Sequence, residues 1–221
     1  MRMDIRAAFF DLDGTLLDSM GMWAEIDRRS LGRRGIAVPE DYQKAVSVMR
    51  IHEAARYTVE RFGLPEDPQD LELEWMDMAR REYAHNVPLK PGAREYLNAL
   101  RAQGVRLGVL TSTAPGLFEP ALKRFGVYEL FDVVMSAAEV PRGKAFPDAY
   151  IMAAQRMGVD PRECAMYDDM APALRAARAA GMYAVGVYDA HAGTARAELE
   201  AAADEFIESF DGRRRAAGRQ T

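Results

Sequence analysis

The chain has 221 residues, is 49% hydrophobic and 29% charged, and carries a net charge of −5. This is a globular composition, and its acidic balance argues against nucleic acid or an anionic membrane as the main partner. Cys164 is the only cysteine, which excludes an internal disulfide and suits a reducing compartment. In chain order, the first apolar run, Ala7–Phe10, reads as a strand. It is too short for a signal-peptide core and is cut by Asp11, and no other run reaches membrane-span length, so the chain is read as cytoplasmic.

Residues 18–88 read as all-helical. Met20, Trp23, Ala24 and Leu31 make one apolar stripe, Ala55, Val59 and Phe62 a second, and Leu71, Trp75, Ala79 and Tyr83 a third. From residue 90 onward the pattern alternates. Val105–Thr111, Phe131–Ser136, Cys164–Asp168 and Met182–Tyr188 read as strands, with helices near 91–103, 115–125, 147–157 and 171–180. Such a βαβ series predicts an α/β fold with a mostly parallel sheet covered on both faces. The expected organisation is a core of residues 1–17 and 89–210, an inserted all-helical cap of residues 18–88, and a disordered basic tail over 211–221. Hinges are expected near Leu17–Ser19 and Val87–Pro91.

In an open parallel sheet, ligands bind beyond the carboxyl ends of the strands. Those ends carry Asp11 and Asp13, then Thr111, Ser112 and Thr113, then Asp168 and Asp169, with Lys144 ahead of the helix at 147. Four converging carboxylates repel and need a divalent cation, and oxygen ligands suit Mg²⁺. Hydroxyls, a lysine and backbone N–H groups suit a phosphate. A carboxylate beside the cation can attack phosphorus, and a second one two residues on can move the protons.

The stretch "DLDGTLLDS" resembles the first motif of the haloacid dehalogenase-like (HAD) superfamily. Thr111 in "GVLT", Lys144 in "GKAFPD" and "DDMAPALRAARAAGM" resemble the second, third and fourth motifs, in the right order. The helical insertion looks like the cap of the branch that holds β-phosphoglucomutase, phosphoglycolate phosphatase and sugar-phosphate phosphatases. The resemblance implies a Rossmann-like core and a Mg²⁺-dependent phosphomonoester hydrolase, working through a phosphorylated Asp11 on a small-molecule phosphate ester, sugar phosphates first. Asp13 would be general acid/base and give the metal its backbone carbonyl. Asp169 would bind the metal directly, and Asp168 directly or through water. Thr111 and the Ser112 backbone would hold phosphoryl oxygens, and Lys144 would offset their charge. Met170, Ala173 and Ala145 depart from the family pattern.

Each of these residues also has a plainer reading. Thr111 alone is a strand residue, Lys144 alone a surface cation, and Asp168–Asp169 alone a helix-start pair. Asp18 or Ser19 reads as the cap of the first inserted helix. Trp23 stands where mutases of the branch carry a histidine, and an indole cannot shuttle protons. It reads equally as packing and as a substrate platform. Arg50 lies where such caps face substrate, although a solvated arginine is the plainer reading. His52, His85 and His191 show no metal-ligand spacing. A phosphomutase, a metal-free C–halogen hydrolase and a non-catalytic binding module are the alternatives. No nucleic-acid or membrane partner is expected, and the chain is expected to be a monomer or weak homo-oligomer.

Overall fold

A computed structural model describes residues 4–46, 49, 51–140, 142–191 and 194–218. Six parallel strands form one sheet: β1 (Ala7–Phe10), β2 (Arg106–Thr111), β3 (Val133–Ser136), β4 (Cys164–Asp168), β5 (Tyr183–Val187) and β6 (Glu205–Ile207), in the spatial order β3-β2-β1-β4-β5-β6. Strand β1 is therefore central and every residue of it is buried. The order reverses beside it, so the crevice at its carboxyl end is the topological switch point.

Consecutive strand residues face opposite sides, and the pair Phe9–Phe10 anchors both layers. Phe9 packs with Tyr150 and Met157 of α7 (Pro147–Met157) and with the small face of α8 (Ala171–Ala179). Its ring fills the space over Gly108, where a Cβ would come within 2.4 Å of it, so β2 needs a glycine there. Phe10 faces α5 (Ala93–Ala102) and α6 (Pro115–Arg124) and stacks on Tyr167, with ring centroids 4.4 Å apart. Tyr96 and Phe210 complete that aromatic group. Cys164 is buried as a small apolar residue of β4.

Between β1 and α5 lie α1 (Met20–Arg33), α2 (Glu40–Val46), α3 (Ile51–Phe62) and α4 (Pro68–His85). Leu71, Trp75, Ala79 and Tyr83 all point inward, as their spacing predicts. The two chain crossings run side by side. Leu17 pairs antiparallel with Leu89, Asp18 N–H donates to the Pro88 carbonyl (3.0 Å), and Lys90 N–H donates to the Leu16 carbonyl (2.8 Å). Among the described residues no helix is long and apolar enough to cross a membrane.

Two features differ from expectation. Helix α9 (Arg196–Ala202) and the three-residue β6 extend the sheet beyond the predicted strands. The basic tail, expected to be disordered, packs down as far as residue 218. Ala216 and Ala217 are buried, Tyr96 donates to the Arg215 carbonyl (3.1 Å), Gln103 donates to the Arg214 carbonyl (2.6 Å), and Arg213 pairs with Glu205. The reason is the "AA" inside "RRRAAG": two small side chains seal the Tyr96–Tyr167–Phe210 cluster. Deleting residues 211–221 is therefore expected to cost about 2–4 kcal/mol. Thermal melting should show this as a fall in Tm of roughly 5–15 °C; an unchanged Tm would mean that the tail carries no packing energy.

Candidate active site

The acidic groups converge because of where two strands stop. Asp11 follows β1, and its N–H donates to the Tyr167 carbonyl of β4 (2.9 Å). Asp168 ends β4 and Asp169 follows it. Asp11, Asp168 and Asp169 are all buried, and each offers a carboxylate oxygen within 4.8 Å of the others'. Lys144 reaches in from the loop before α7. Its Nζ lies 2.7 Å from Asp11 Oδ1 and 2.6 Å from Asp168 Oδ2, and its own carbonyl accepts from the Tyr150 hydroxyl (2.9 Å). The backbone turn depends on Gly14, which sits at φ +74°, where a Cβ would fall 2.3 Å from Asp169 Oδ2.

Burial pushes the Asp11 carboxyl up to about 7. Lys144 pulls against this, while Asp168 and Asp13 add to it. Burial, followed by the charges of Asp168 and Asp11, pushes Asp169 up to about 8. Burial opposes the Lys144 ammonium too, but Asp11 and Asp168 override it and hold its pKa above the ordinary lysine value. One lysine thus serves an acidic trio. Asp168 Oδ1 accepts from Met170 N–H (2.9 Å), but the buried Oδ2 receives no aligned hydrogen bond. Three clustered carboxylates with one such oxygen form a donor set that fits a hard divalent cation.

Asp13 is set apart from this trio. Its carboxylate accepts from Ser19 Oγ (2.5 Å), from the Tyr83 hydroxyl of α4 (2.5 Å) and from Thr113 Oγ1. Ser19 precedes α1 but makes no side-chain cap bond, so the expected capping role gives way to a bond with Asp13. Thr111 ends β2 and accepts from Thr113 N–H (3.2 Å). A cavity of about 330 Å³ brings together Asp11, Asp13, Thr111, Ser112, Lys144, Asp168 and Asp169. Trp23 lies outside it, in a neighbouring cavity within the helical layer. Arg50 falls outside the described residues. The spacing rules pointed to Tyr83 only as a core residue, and nothing local to it announces a bond to residue 13.

The family model for haloacid dehalogenase-like hydrolases matches residues 5–181. The chain belongs to that family. It is 30% identical over 203 residues to validoxylamine A 7'-phosphate phosphatase of Streptomyces hygroscopicus subsp. limoneus, covering 92% of this chain and 95% of the relative. It is 30% identical over 180 residues to fructose-1-phosphate phosphatase of Escherichia coli K12, covering 80% and 94%. Among solved structures, a HAD family hydrolase from Deinococcus radiodurans R1 with bound phosphate and sodium superimposes with a TM-score of 0.75 at 27% identity, over 94% of this chain and 93% of that one.

A carboxyl raised by folding holds a proton that the unfolded chain releases near pH 4, so ionising it costs native stability as pH climbs. For Asp11 and Asp169 that loss accumulates from about pH 4 to about pH 8. The cation-free protein should therefore show a falling contribution to Tm between about pH 5.5 and pH 8. Saturating Mg²⁺ should restore about 2–3 kcal/mol at pH 8 and clearly less at pH 5.5. Melting curves at both pH values check this, and an equal Mg²⁺ effect at the two would contradict it.

Proposed function

We propose that the protein is a Mg²⁺-dependent phosphomonoester hydrolase acting on a small phosphorylated metabolite, with sugar phosphates first. The observation that carries this reading is the buried Asp11–Asp168–Asp169 trio, served by Lys144 and open to one cavity with Asp13, Thr111 and Ser112. Relatives of similar length, one named a validoxylamine A 7'-phosphate phosphatase and one a fructose-1-phosphate phosphatase, support it.

Asp11 is the nucleophile. Its carboxylate attacks phosphorus, the ester oxygen leaves, and an aspartyl phosphate forms on Asp11. Asp13 gives the leaving oxygen its proton and then takes one from the water that hydrolyses the aspartyl phosphate. The hydroxyls of Ser19, Tyr83 and Thr113 fix where that carboxyl stands between the two steps. Lys144, already 2.7 Å from Asp11, stays beside the charge that passes to the phosphoryl group. Thr111 and the Ser112 backbone donate to its oxygens. Asp11, Asp168, Asp169 and the Asp13 carbonyl would hold Mg²⁺, which when bound supplies positive charge for the phosphoryl oxygens. Met20, at the start of the helical layer, lines the cavity, and closure of that layer over bound substrate would limit bulk water.

Phosphate release from a panel of phosphate esters tests this. Asp11→Asn should abolish turnover, and Asp13→Asn should lower kcat by about 10²–10⁴-fold, both with the melting temperature retained. Chelation of divalent cations should stop release, and Mg²⁺ should restore it. Undiminished release by Asp11→Asn would remove the covalent step, and undiminished release in chelator would remove the cation.

A further inference from the structure

The second cavity, about 430 Å³, lies within the helical layer and reaches the loop after β5 at His191. Met20 lines both it and the acidic cavity, so the two adjoin at that side chain. Its walls include Trp23 and Trp75. The Trp75 N–H is spent on Ser30 Oγ (2.9 Å), so that indole presents only apolar surface. Asp27 faces this space from α1, one turn beyond Trp23, and is only 8% exposed. Burial alone sets its protonation, with no hydrogen bond and no cation near it among the described residues.

A carboxyl as deeply buried as this, with no protein partner among the described residues, costs native stability, because it gives up most of its water and gains no bond in exchange. Buried polar groups are otherwise almost always bonded. This one lines a space of ligand size whose other described lining is mostly apolar, with Gln43 and His191 among its polar residues. A carboxylate accepts hydrogen bonds, so its missing partner is a hydroxyl or ammonium donor. Indole faces pack well against the C–H faces of a carbohydrate-like ring. A second phosphate or carboxylate placed here would meet the Asp27 charge across low-dielectric surroundings.

We infer that Asp27 is a specificity-determining residue that reads the leaving group. The structure assigns the substrate as a monophosphate of a polyol, sugar or amino-sugar, with a hydroxyl or amine remote from the phosphate and no second anion. This rests on the phosphatase reading above. The phosphoryl group occupies the acidic cavity, the carbon skeleton passes Met20, and the far donor bonds to Asp27.

The test measures kcat/KM for phosphate release from sorbitol 6-phosphate, glucose 6-phosphate and glucosamine 6-phosphate, against n-hexyl phosphate and fructose 1,6-bisphosphate. The wild type should favour the best hydroxylated monophosphate over hexyl phosphate. Asp27→Asn and Asp27→Leu should each shrink that ratio by about tenfold or more, through KM more than kcat. Both variants, free of ligand, should melt at or above the wild-type temperature, because each removes an unpaired buried acid. An unchanged ratio with phosphate release intact overturns this inference and leaves the phosphatase reading standing. Variants that melt lower and lose all esters alike assign Asp27 to structure and also overturn it. No release from any ester by the wild type overturns both readings together.

Discussion

The mutual repulsion of Asp11, Asp168 and Asp169 is the constraint around which this molecule is organised. At effective dielectric constants of about 20, each close pair of like charges costs a few kcal/mol. Lys144 offsets part of that, lying between Asp11 and Asp168 and touching both. The remainder has to be borne by a scaffold that does not yield. Fully buried parallel strands provide one: β1 and β4 are buried at every residue and bonded to each other in register. Gly14 belongs to the same solution. Only a residue without a side chain lets the chain turn back over Asp169, so "DLDGT" near the N-terminus and "DD" at 168–169 are sterically one unit.

That rigidity stops at Asp13. Its three donors come from three places: Ser19 at the start of the helical layer, Tyr83 near its end, and Thr113 beyond β2. The carboxyl therefore joins the sheet to both ends of the helical insertion. The paired crossings at Leu17 and Leu89 lie beneath it, and Lys90 adds an ion pair to Asp189 (2.7 Å) and a bond to the Tyr188 carbonyl (2.8 Å). A displacement of α4 relative to β2 has to change the bonding of Asp13 before it changes that of Asp11, whose bonds among the described residues run to Tyr167 and Lys144. Position of the helical layer and the setting of the Asp13 carboxyl are thus physically linked, through hydroxyls rather than through the acidic trio.

Much of this was legible in the sequence. The strands at 106–111, 164–168 and 183–187 stand out because buried parallel strands are short, nearly unbroken apolar runs. The acidic site stands out because its residues cluster at strand ends, where topology alone brings them together. What escaped shares a different cause. "EFI" is too short and too polar at its borders to announce β6, and it exists as a strand because β5 offers it an edge. "RRRAAG" reads as solvated because its charge outweighs two alanines, yet those two fit a gap between aromatic rings that no local pattern reveals. Ser19 and Tyr83 followed capping and stripe rules whose premise was a helix considered alone. For Ser19 the bond to Asp13 displaces the capping role, whereas Tyr83 keeps its inward place in the stripe and adds a bond to Asp13, distant in sequence.

Asp27 is the instructive case, because a signal for it was present. Met20, Trp23, Ala24 and Leu31 make an apolar stripe, and residue 27 falls on the same face, so an acid interrupts a surface built to be buried. A helix that only packs has no reason to carry a carboxyl there. The structure shows why the interruption is tolerated: the stripe faces a space as well as a core. Helix α1 thereby serves two purposes along one face. Ser19, just before it, bonds the Asp13 carboxyl, Met20 lines both cavities, and Trp23 and Asp27 line the second. The same physical device recurs in both cavities: a buried acid short of partners among the described residues, at a cost to the resting fold, where an incoming group can complete it. Under the function proposed above, the completing groups at the strand ends would be a cation and a phosphoryl group; on α1 it would be a hydrogen-bond donor on the group that leaves.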